Sequence, residues 1–128
     1  MKPSVLIVED DSEIRLALGD LLESSGYSVS EAQHGHEALE LLQSGLRPGV
    51  ILLDIMMPVM NGWVFRAEQL ADPRIADIPV IVLTAMGRAE ETGRELRAHA
   101  ALSKPFEISD LLHLLERLTP RDPERASA

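Results

Sequence analysis

Short, unbroken apolar runs constrain the fold of this chain more than any other feature of its sequence. Three are rich in Val, Ile and Leu, at Val5–Val8, Val50–Leu53 and Ile78–Leu83, and a weaker one lies at Ala100–Leu102. Strands that are covered on both faces need such runs, as in a parallel sheet. A fifth segment, Tyr27–Glu31, alternates more and suits the edge of a sheet. The sequence therefore predicts five strands, most of them buried on both faces.

The segments between these runs have helical periodicity. In the first, Ser12 is a candidate cap and Gly26 a candidate stop. Strands that alternate with helices imply parallel pairing, right-handed crossovers and helices on both faces. We therefore expect one α/β domain with a doubly wound five-stranded parallel sheet and five helices. The predicted helical segments are the stripe Ile14–Leu22, then His36–Gln43, Trp63–Leu70, Arg88–Ala98 and Ile108–Leu118. The domain is expected to cover residues 1–118, and the polar residues 119–128 a flexible tail.

The charge of the chain narrows the classes of partner. It has 21 acidic residues against 12 basic ones, a net charge of −9, and four aromatic residues. Nucleic-acid affinity rests on Lys and Arg and on base stacking, so we expect no nucleic-acid partner. No apolar run approaches the ~20 residues that cross a bilayer, and Glu9 ends the first run too early for a signal peptide. The expected location is cytoplasmic, without a membrane partner.

Residues that carry chemistry stand where the predicted strands end. The carboxyl ends of parallel strands form the ligand-binding edge of a doubly wound sheet, so these side chains are expected to converge. They are Glu9, Asp10, Asp11, Asp54, Thr84, Ser103 and Lys104.

Glu9, Asp10 and Asp54 would repel one another at this edge unless a cation joined them. Carboxylate, carbonyl and water ligands suit Mg²⁺, which commonly bridges to a phosphate oxygen. A single acid after a strand more often caps a helix, as Asp11 or Ser12 could. The full set favours a metal site because several weak signals coincide.

Asp54 is also a candidate nucleophile, because an aspartate oxygen can attack phosphorus and form an acyl phosphate. The charge on the phosphoryl group would then need donors around it. The hydroxyl of Thr84, the amide of Ala85 and the ammonium of Lys104 are the candidates. Lys104 is one of two lysines among the 12 basic residues, and its compact ammonium suits a phosphoryl oxygen better than a planar guanidinium.

At these residues the sequence resembles the receiver domain of two-component response regulators. VLIVEDD, ILLDIMMPVMNGW, DIPVIVLTA and LSKPF match the family pattern in order, over residues 4 to about 118. The resemblance implies a flavodoxin-like (β/α)5 fold and Asp54 as phosphoacceptor. It implies Mg²⁺ bound by Asp10, Asp54 and the backbone carbonyl of Met56, with Glu9 binding directly or through water. It also implies a histidine kinase or histidine phosphotransfer protein as the phosphohistidine donor.

The same resemblance assigns phosphoryl contacts to Thr84 and Lys104 and a cis peptide bond to Lys104–Pro105. It implies a readout face formed by the fourth helix, fifth strand and fifth helix, at about residues 88–118. One departure lies on that face. Ala101 stands where the family usually has an aromatic ring that moves with the threonine, so we expect a modified readout.

The leading hypothesis is a single-domain response regulator, not an enzyme beyond self-phosphorylation and self-dephosphorylation with Mg²⁺, that switches binding of an unknown protein target. The alternative is a phosphorylation-independent adaptor, which Ala101 favours mildly and the intact site opposes. A phosphatase of the haloacid dehalogenase type would need a second acid two residues after Asp54, where Met56 stands. His34 and His36 are expected to belong to a turn, because a zinc pair would need further ligands.

Overall fold

A computed structural model of the chain describes residues 4–54, 62–84, 89–104 and 106–118. Within these residues strands and helices alternate, as the sequence predicts. The elements are β1 (Ser4–Val8), α1 (Ser12–Ser24), β2 (Ser28–Ala32), α2 (Gly35–Gln43), β3 (Val50–Asp54), α3 (Gly62–Ala71), β4 (Val80–Thr84), α4 (Ala89–Leu96), β5 (Ala100–Ser103) and α5 (Ile108–Leu118).

All five strands are parallel and lie in one sheet, in the order β2-β1-β3-β4-β5. The order reverses between β1 and β3, which is the crevice where doubly wound sheets bind ligands. The segment with the most alternation, β2, lies at an edge, and β5 forms the other edge. The expected fold class is therefore confirmed.

Two apolar layers cover the sheet. Residues on one face of the strands pack with α1 and α5, and residues on the other face pack with α2, α3 and α4. Alternate residues of one strand belong to different layers. Leu6 packs in the layer with α2, α3 and α4, and Ile7 packs in the layer with α1 and α5. Both are fully buried. Burial of each such aliphatic side chain stabilises the folded state by about 1.5–3 kcal/mol. The two layers explain why the central strands are apolar without interruption.

The cap of the first helix lies one residue earlier than the sequence predicts. Asp11, not Ser12, is its cap: the Asp11 side chain accepts hydrogen bonds from the amides of Glu13 at 2.9 Å and Ile14 at 3.2 Å. Asp11 has an extended backbone, whereas Ser12 is already helical. Either residue type can cap a helix, so composition could not separate them. Gly26 follows the helix with a φ of 98°, as a stop residue does.

The fourth helix is shorter than its predicted span of 88–98. It ends at Leu96 because Arg97 has a left-handed backbone, with a φ of 55°. The amide of Ala98 then donates to the carbonyl of Gly93 at 2.9 Å. This conformation costs a residue other than glycine about 1–2 kcal/mol. Neighbouring structure must therefore stabilise it.

None of the helices in the described part of the chain is long and apolar enough to span a membrane. The expected tail at 119–128 lies outside the described residues.

Candidate functional site

Three carboxylates meet where the strand order reverses. Glu9 and Asp10 follow β1, and Asp54 is the last residue of β3, whose neighbouring residue Leu53 pairs with Val8. One oxygen from each of the three carboxylates lies within 4.8 Å of the others. Glu9 and Asp54 are buried, and Asp10 is exposed. The predicted convergence of these acids is present.

The ammonium of Lys104 lies against two of these acids. Its Nζ is 3.3 Å from Oε1 of Glu9 and 3.4 Å from Oδ2 of Asp54. The backbone brings it there, because the Lys104 amide donates to the carbonyl of Thr84 at 2.8 Å. Thr84, the last residue of β4, is buried next to Ser103 of β5. Thr84 and Lys104 thus lie at the same edge as the three carboxylates.

Burial and crowding change the acidity of Glu9. Burial raises its pKa most, and a hydrogen bond and charge repulsion from Asp54 raise it further, to about 7. The pKa of Lys104 is also raised. Burial opposes its charge, but the charges of Asp54 and Glu9 outweigh that effect and raise its pKa. The cluster therefore favours bound positive charge.

The donor set fits a hard divalent cation. Glu9, Asp10 and Asp54 offer carboxylate oxygens at one edge, and Mg²⁺ prefers oxygen ligands in small numbers. Within the described ranges, these residues are also the one group of three His, Asp or Glu side chains arranged to hold a metal ion.

Arg15 supports the acidic corner, although its place in the sequence does not by itself predict this role. Its Nη1 donates to the backbone carbonyl of Glu9 at 2.9 Å, and its Nε donates to Oε1 of Glu31 at 3.1 Å. The corner between β1 and α1 is thereby tied to the neighbouring strand β2. The position of Arg15, one helical turn after the cap Asp11, was the available signal.

His34 and His36 belong to the start of α2. His34 caps this helix, and its Nδ1 accepts a hydrogen bond from the amide of Glu37 at 3.1 Å. Nε2 of His36 lies 2.9 Å from Oε1 of Glu40. Both imidazoles therefore have local helix partners, as the turn interpretation expects.

Three implied contacts lie outside the described residues. They are the Met56 carbonyl, the Ala85 amide and the Lys104–Pro105 peptide bond.

Ala101 is described, and it lies under α4. A Cβ placed on Gly93 would come within 3.2 Å of the Ala101 Cβ, closer than such carbons normally pack. The helix therefore lies directly on the strand at this point, with Gly93 against Ala101.

Comparisons with known proteins agree with this arrangement. A model of the response regulator receiver domain matches residues 5–116. The chain is 40% identical over 120 residues to the transcriptional regulatory protein PdtaR of Mycobacterium tuberculosis, an alignment that covers 91% of this chain and 57% of PdtaR. It is also 40% identical to the response regulator MprA of Mycolicibacterium vanbaalenii, over 100% of this chain and 57% of MprA. The chain thus spans a little over half the length of these curated relatives.

Solved structures are similar over most of the chain. The chemotaxis protein CheY4 of Vibrio cholerae aligns with a TM-score of 0.83 and 33% identity, over 92% of this chain and 99% of that one. The receiver domain of the Francisella response regulator 1452 aligns with a TM-score of 0.81 and 30% identity, over 91% and 96%.

Proposed function

Because this chain belongs to the response regulator receiver domain family, we propose that Asp54 accepts a phosphoryl group from a phosphohistidine in a Mg²⁺-dependent reaction. The observation that carries the proposal is the position of Lys104, whose ammonium lies 3.4 Å from the Asp54 carboxylate at the end of β3. A cation held beside a nucleophilic carboxylate suits a reaction in which negative charge arrives with the substrate.

In the proposed transfer, an Oδ atom of Asp54 attacks phosphorus. The new O–P bond forms as the P–N bond breaks, and the donor imidazole leaves with the electron pair of that bond. Lys104 and the hydroxyl of Thr84 would contact the phosphoryl oxygens. Glu9, Asp10 and Asp54, with the carbonyl of Met56, would hold Mg²⁺, which supplies positive charge to those oxygens when bound. Attack by water on the acyl phosphate would restore the carboxylate and release phosphate.

The proposed switch follows from the new charge at Asp54. A phosphoryl group adds about −1.5 to −2 charge and three acceptor oxygens. Lys104 would then exchange its contact with Glu9 for one with a phosphoryl oxygen. Because the backbone of Lys104 is bonded to Thr84, the ends of β4 and β5 would respond together. The proposed readout is the face formed by α4, β5 and α5.

The exposed face of α1 supports a helical donor protein as the partner. Ile14 and Leu21 are 40% and 46% exposed and lie two helical turns apart on the same side of α1. They lie on the helix that directly follows the acidic corner Glu9–Asp11. A histidine kinase or phosphotransfer domain that packed on this apolar surface would bring its phosphohistidine to the carboxyl edge of the sheet.

The proposal extends to location and partners. We propose that this receiver domain acts in the cytoplasm, and that it binds protein and not nucleic acid. The net charge of −9 supports the expectation that it does not bind nucleic acid. The relatives PdtaR and MprA extend beyond the aligned segment, so this proposal concerns the receiver domain itself.

The test uses Mg²⁺ and acetyl phosphate, a small acyl phosphate donor, followed by intact mass measurement. The expected result is one phosphoryl adduct that is lost in Asp54→Asn and after chelation of Mg²⁺. Asp77→Asn, an exposed acid near β4, is the matched control and should keep the adduct. Absence of an adduct with acetyl phosphate and with a panel of phosphorylated histidine kinases would refute the proposal. Steady hydrolysis of unrelated phosphomonoesters would favour a phosphatase instead.

A second candidate function is a phosphorylation-independent adaptor. The contact between Gly93 and Ala101 favours it, because α4 packs closely on a residue that carries no ring to move with Thr84. An adaptor would bind its target equally well as wild type, as the phosphorylated form and as Asp54→Asn. A difference in affinity between these forms would exclude it.

A further inference from the structure

A buried arginine on α3 binds the carboxyl end of α4. Arg66 is 3% exposed. Its Nε donates to the carbonyl of Leu96 at 2.9 Å, and its Nη2 donates to the carbonyl of Arg97 at 2.7 Å. These carbonyls belong to the last residue of α4 and to the residue after it. The guanidinium therefore satisfies acceptors that the end of a helix leaves without intrahelical partners.

The remaining contact of this guanidinium is neutral. Nη1 of Arg66 donates to Oε1 of Gln69 at 2.7 Å. Gln69 is fully buried, and its amide nitrogen donates to the carbonyls of Ile75 at 3.0 Å and Ile78 at 3.1 Å. Among the described residues, Arg66 has no carboxylate partner. Its charge is stabilised by carbonyl dipoles, including the negative end of the α4 dipole.

Other contacts fix the same end of α4. Leu96 is 4% exposed and belongs to the apolar layer under the helix. The left-handed Arg97 is held by the bond from the Ala98 amide to Gly93. Gly93 itself lies against Ala101 of β5. The second half of α4 is thus tied to α3, to the core and to β5.

We propose that Arg66 is a positioning residue that fixes the carboxyl end of α4 to α3, so that α4 pivots about this end when the domain is activated. A displacement that begins at Thr84 then changes the first half of the helix, Ala89–Thr92, and leaves Gly93–Ala98 in place. This inference rests on the proposed function. It places the signal-dependent part of the readout surface on the first half of α4.

The experiment measures backbone amides of the full chain by NMR. Wild type, Arg66→Met and the control Arg74→Met are compared at rest and with Mg²⁺ and beryllofluoride, an acyl phosphate analogue. Methionine is close to arginine in length, so Arg66→Met removes the charge and the three hydrogen bonds without leaving a large cavity. Arg74 is exposed and pairs with Asp72 at 2.8 Å, so its variant removes one positive charge without touching α4.

Two results are expected. At rest, amide hydrogen exchange over 93–98 is faster in Arg66→Met than in wild type by about tenfold, and unchanged in Arg74→Met. On activation, chemical-shift changes in α4 of wild type are confined to 89–92, whereas in Arg66→Met they extend to 98. The rate of adduct formation with acetyl phosphate stays within about twofold in both variants, since neither residue contacts the site.

Equal amide exchange over 93–98 in wild type and Arg66→Met would show that Arg66 does not fix the carboxyl end of α4. Activation changes in wild type that are as large over 93–98 as over 89–92 would overturn the pivot. If Arg66→Met does not fold, Arg66→Lys is measured the same way, since it keeps the charge but loses the planar fork that binds both carbonyls. Failure of wild type to form any adduct would count against the proposed function and the pivot together. The exchange comparison at rest would still decide the anchor.

Discussion

The acidic edge and the carboxyl end of α4 both bury charge, but they stabilise it differently. At the edge, Lys104 lies between Glu9 and Asp54 and is itself charged. At the end of α4, the hydrogen-bond acceptors of Arg66 in the described part of the chain are neutral carbonyl and amide oxygens. Charged partners can be exchanged when a further anion or cation arrives, whereas backbone carbonyls of a helix end cannot move independently. The first arrangement suits a group that changes partners, and the second suits a fixed point.

The largest expected effect, on the rate of phosphorylation, follows from removing the cation of the acidic edge. Lys104→Met should lower the rate of Asp54 phosphorylation by acetyl phosphate by about 10²–10³-fold, because the incoming phosphoryl charge loses a preorganised donor. Lys104→Arg, which keeps the charge with a different shape, should retain part of the rate. Rates are measured by intact mass at saturating Mg²⁺. A wild-type rate in Lys104→Met would contradict the role given to this residue.

The next largest effect, on stability, follows from breaking the neutral hydrogen-bond network around Arg66. Gln69→Leu removes the donors to two loop carbonyls and the acceptor of Arg66, and should lower the free energy of unfolding by about 2–4 kcal/mol. Urea denaturation measures it. The double variant Arg66→Met with Gln69→Leu should lose less than the sum of the single variants, because the two side chains act as a unit. Strict additivity would show that they do not.

A smaller effect probes the contact between α4 and β5. Ala101→Tyr should lower the free energy of unfolding by about 1–3 kcal/mol, because Gly93 already packs closely on Ala101 and a ring there would have to displace α4. Ala101→Ser, a small replacement, is the control. Urea denaturation would detect the difference. An Ala101→Tyr variant as stable as wild type, with a changed target affinity on phosphorylation, would show that the aromatic position still acts in the switch.

The smallest effect concerns pH near the α4 anchor. Nδ1 of His99 accepts a hydrogen bond from the amide of Val80 at 3.2 Å. Partial burial of the imidazole, and next the charge of Arg66, lower the pKa of His99 below 6.5. Below pH 6.5 the unfolded chain therefore binds a proton that the native histidine resists, so stability falls as the pH decreases and levels off below the native pKa.

His99→Asn keeps an acceptor near the position of Nδ1 but does not titrate in this range. The stability difference between wild type and His99→Asn should decrease between pH 7.5 and 5.5 by a few tenths of a kcal/mol, since the imidazole of His99 is only partly buried and solvent screens its charge. Urea denaturation across this range gives the difference, in which the titration of Glu9 cancels. A constant difference would contradict the assignment.

The sequence predicted the sheet and the charged edge because both depend on local patterns. A strand such as β3 must be apolar throughout when both faces are buried, and its last residue, Asp54, then falls at the edge of the sheet. The roles of the phosphoacceptor, the metal ligands and the Ala85 amide stay predictions. The choice of Asp11 over Ser12 as cap depends on one residue's backbone conformation, which composition does not determine.

Arg66 and Gln69 could not be identified in the same way. Polar residues on a helix are normally read as solvent-facing, so the apolar stripe of α3 gave no reason to bury them. The spacing of Phe65 and Gln69, four residues apart on one helical face, was a weak signal. The acceptors Leu96 and Arg97 lie about 30 residues further along the chain, and helix packing alone brings them to Arg66.

The parallel order of the sheet also has a consequence for synthesis and folding. Glu9 and Lys104 are separated by 95 positions in the chain and become neighbours at the site. A ribosome releases the two buried carboxylates long before the lysine that balances them, and nonlocal strand pairing is slow to form. The acidic edge is therefore complete only when the last strand, β5, has joined. Labelling of Asp54 by a phosphoryl donor would then report on finished folding as well as on signalling.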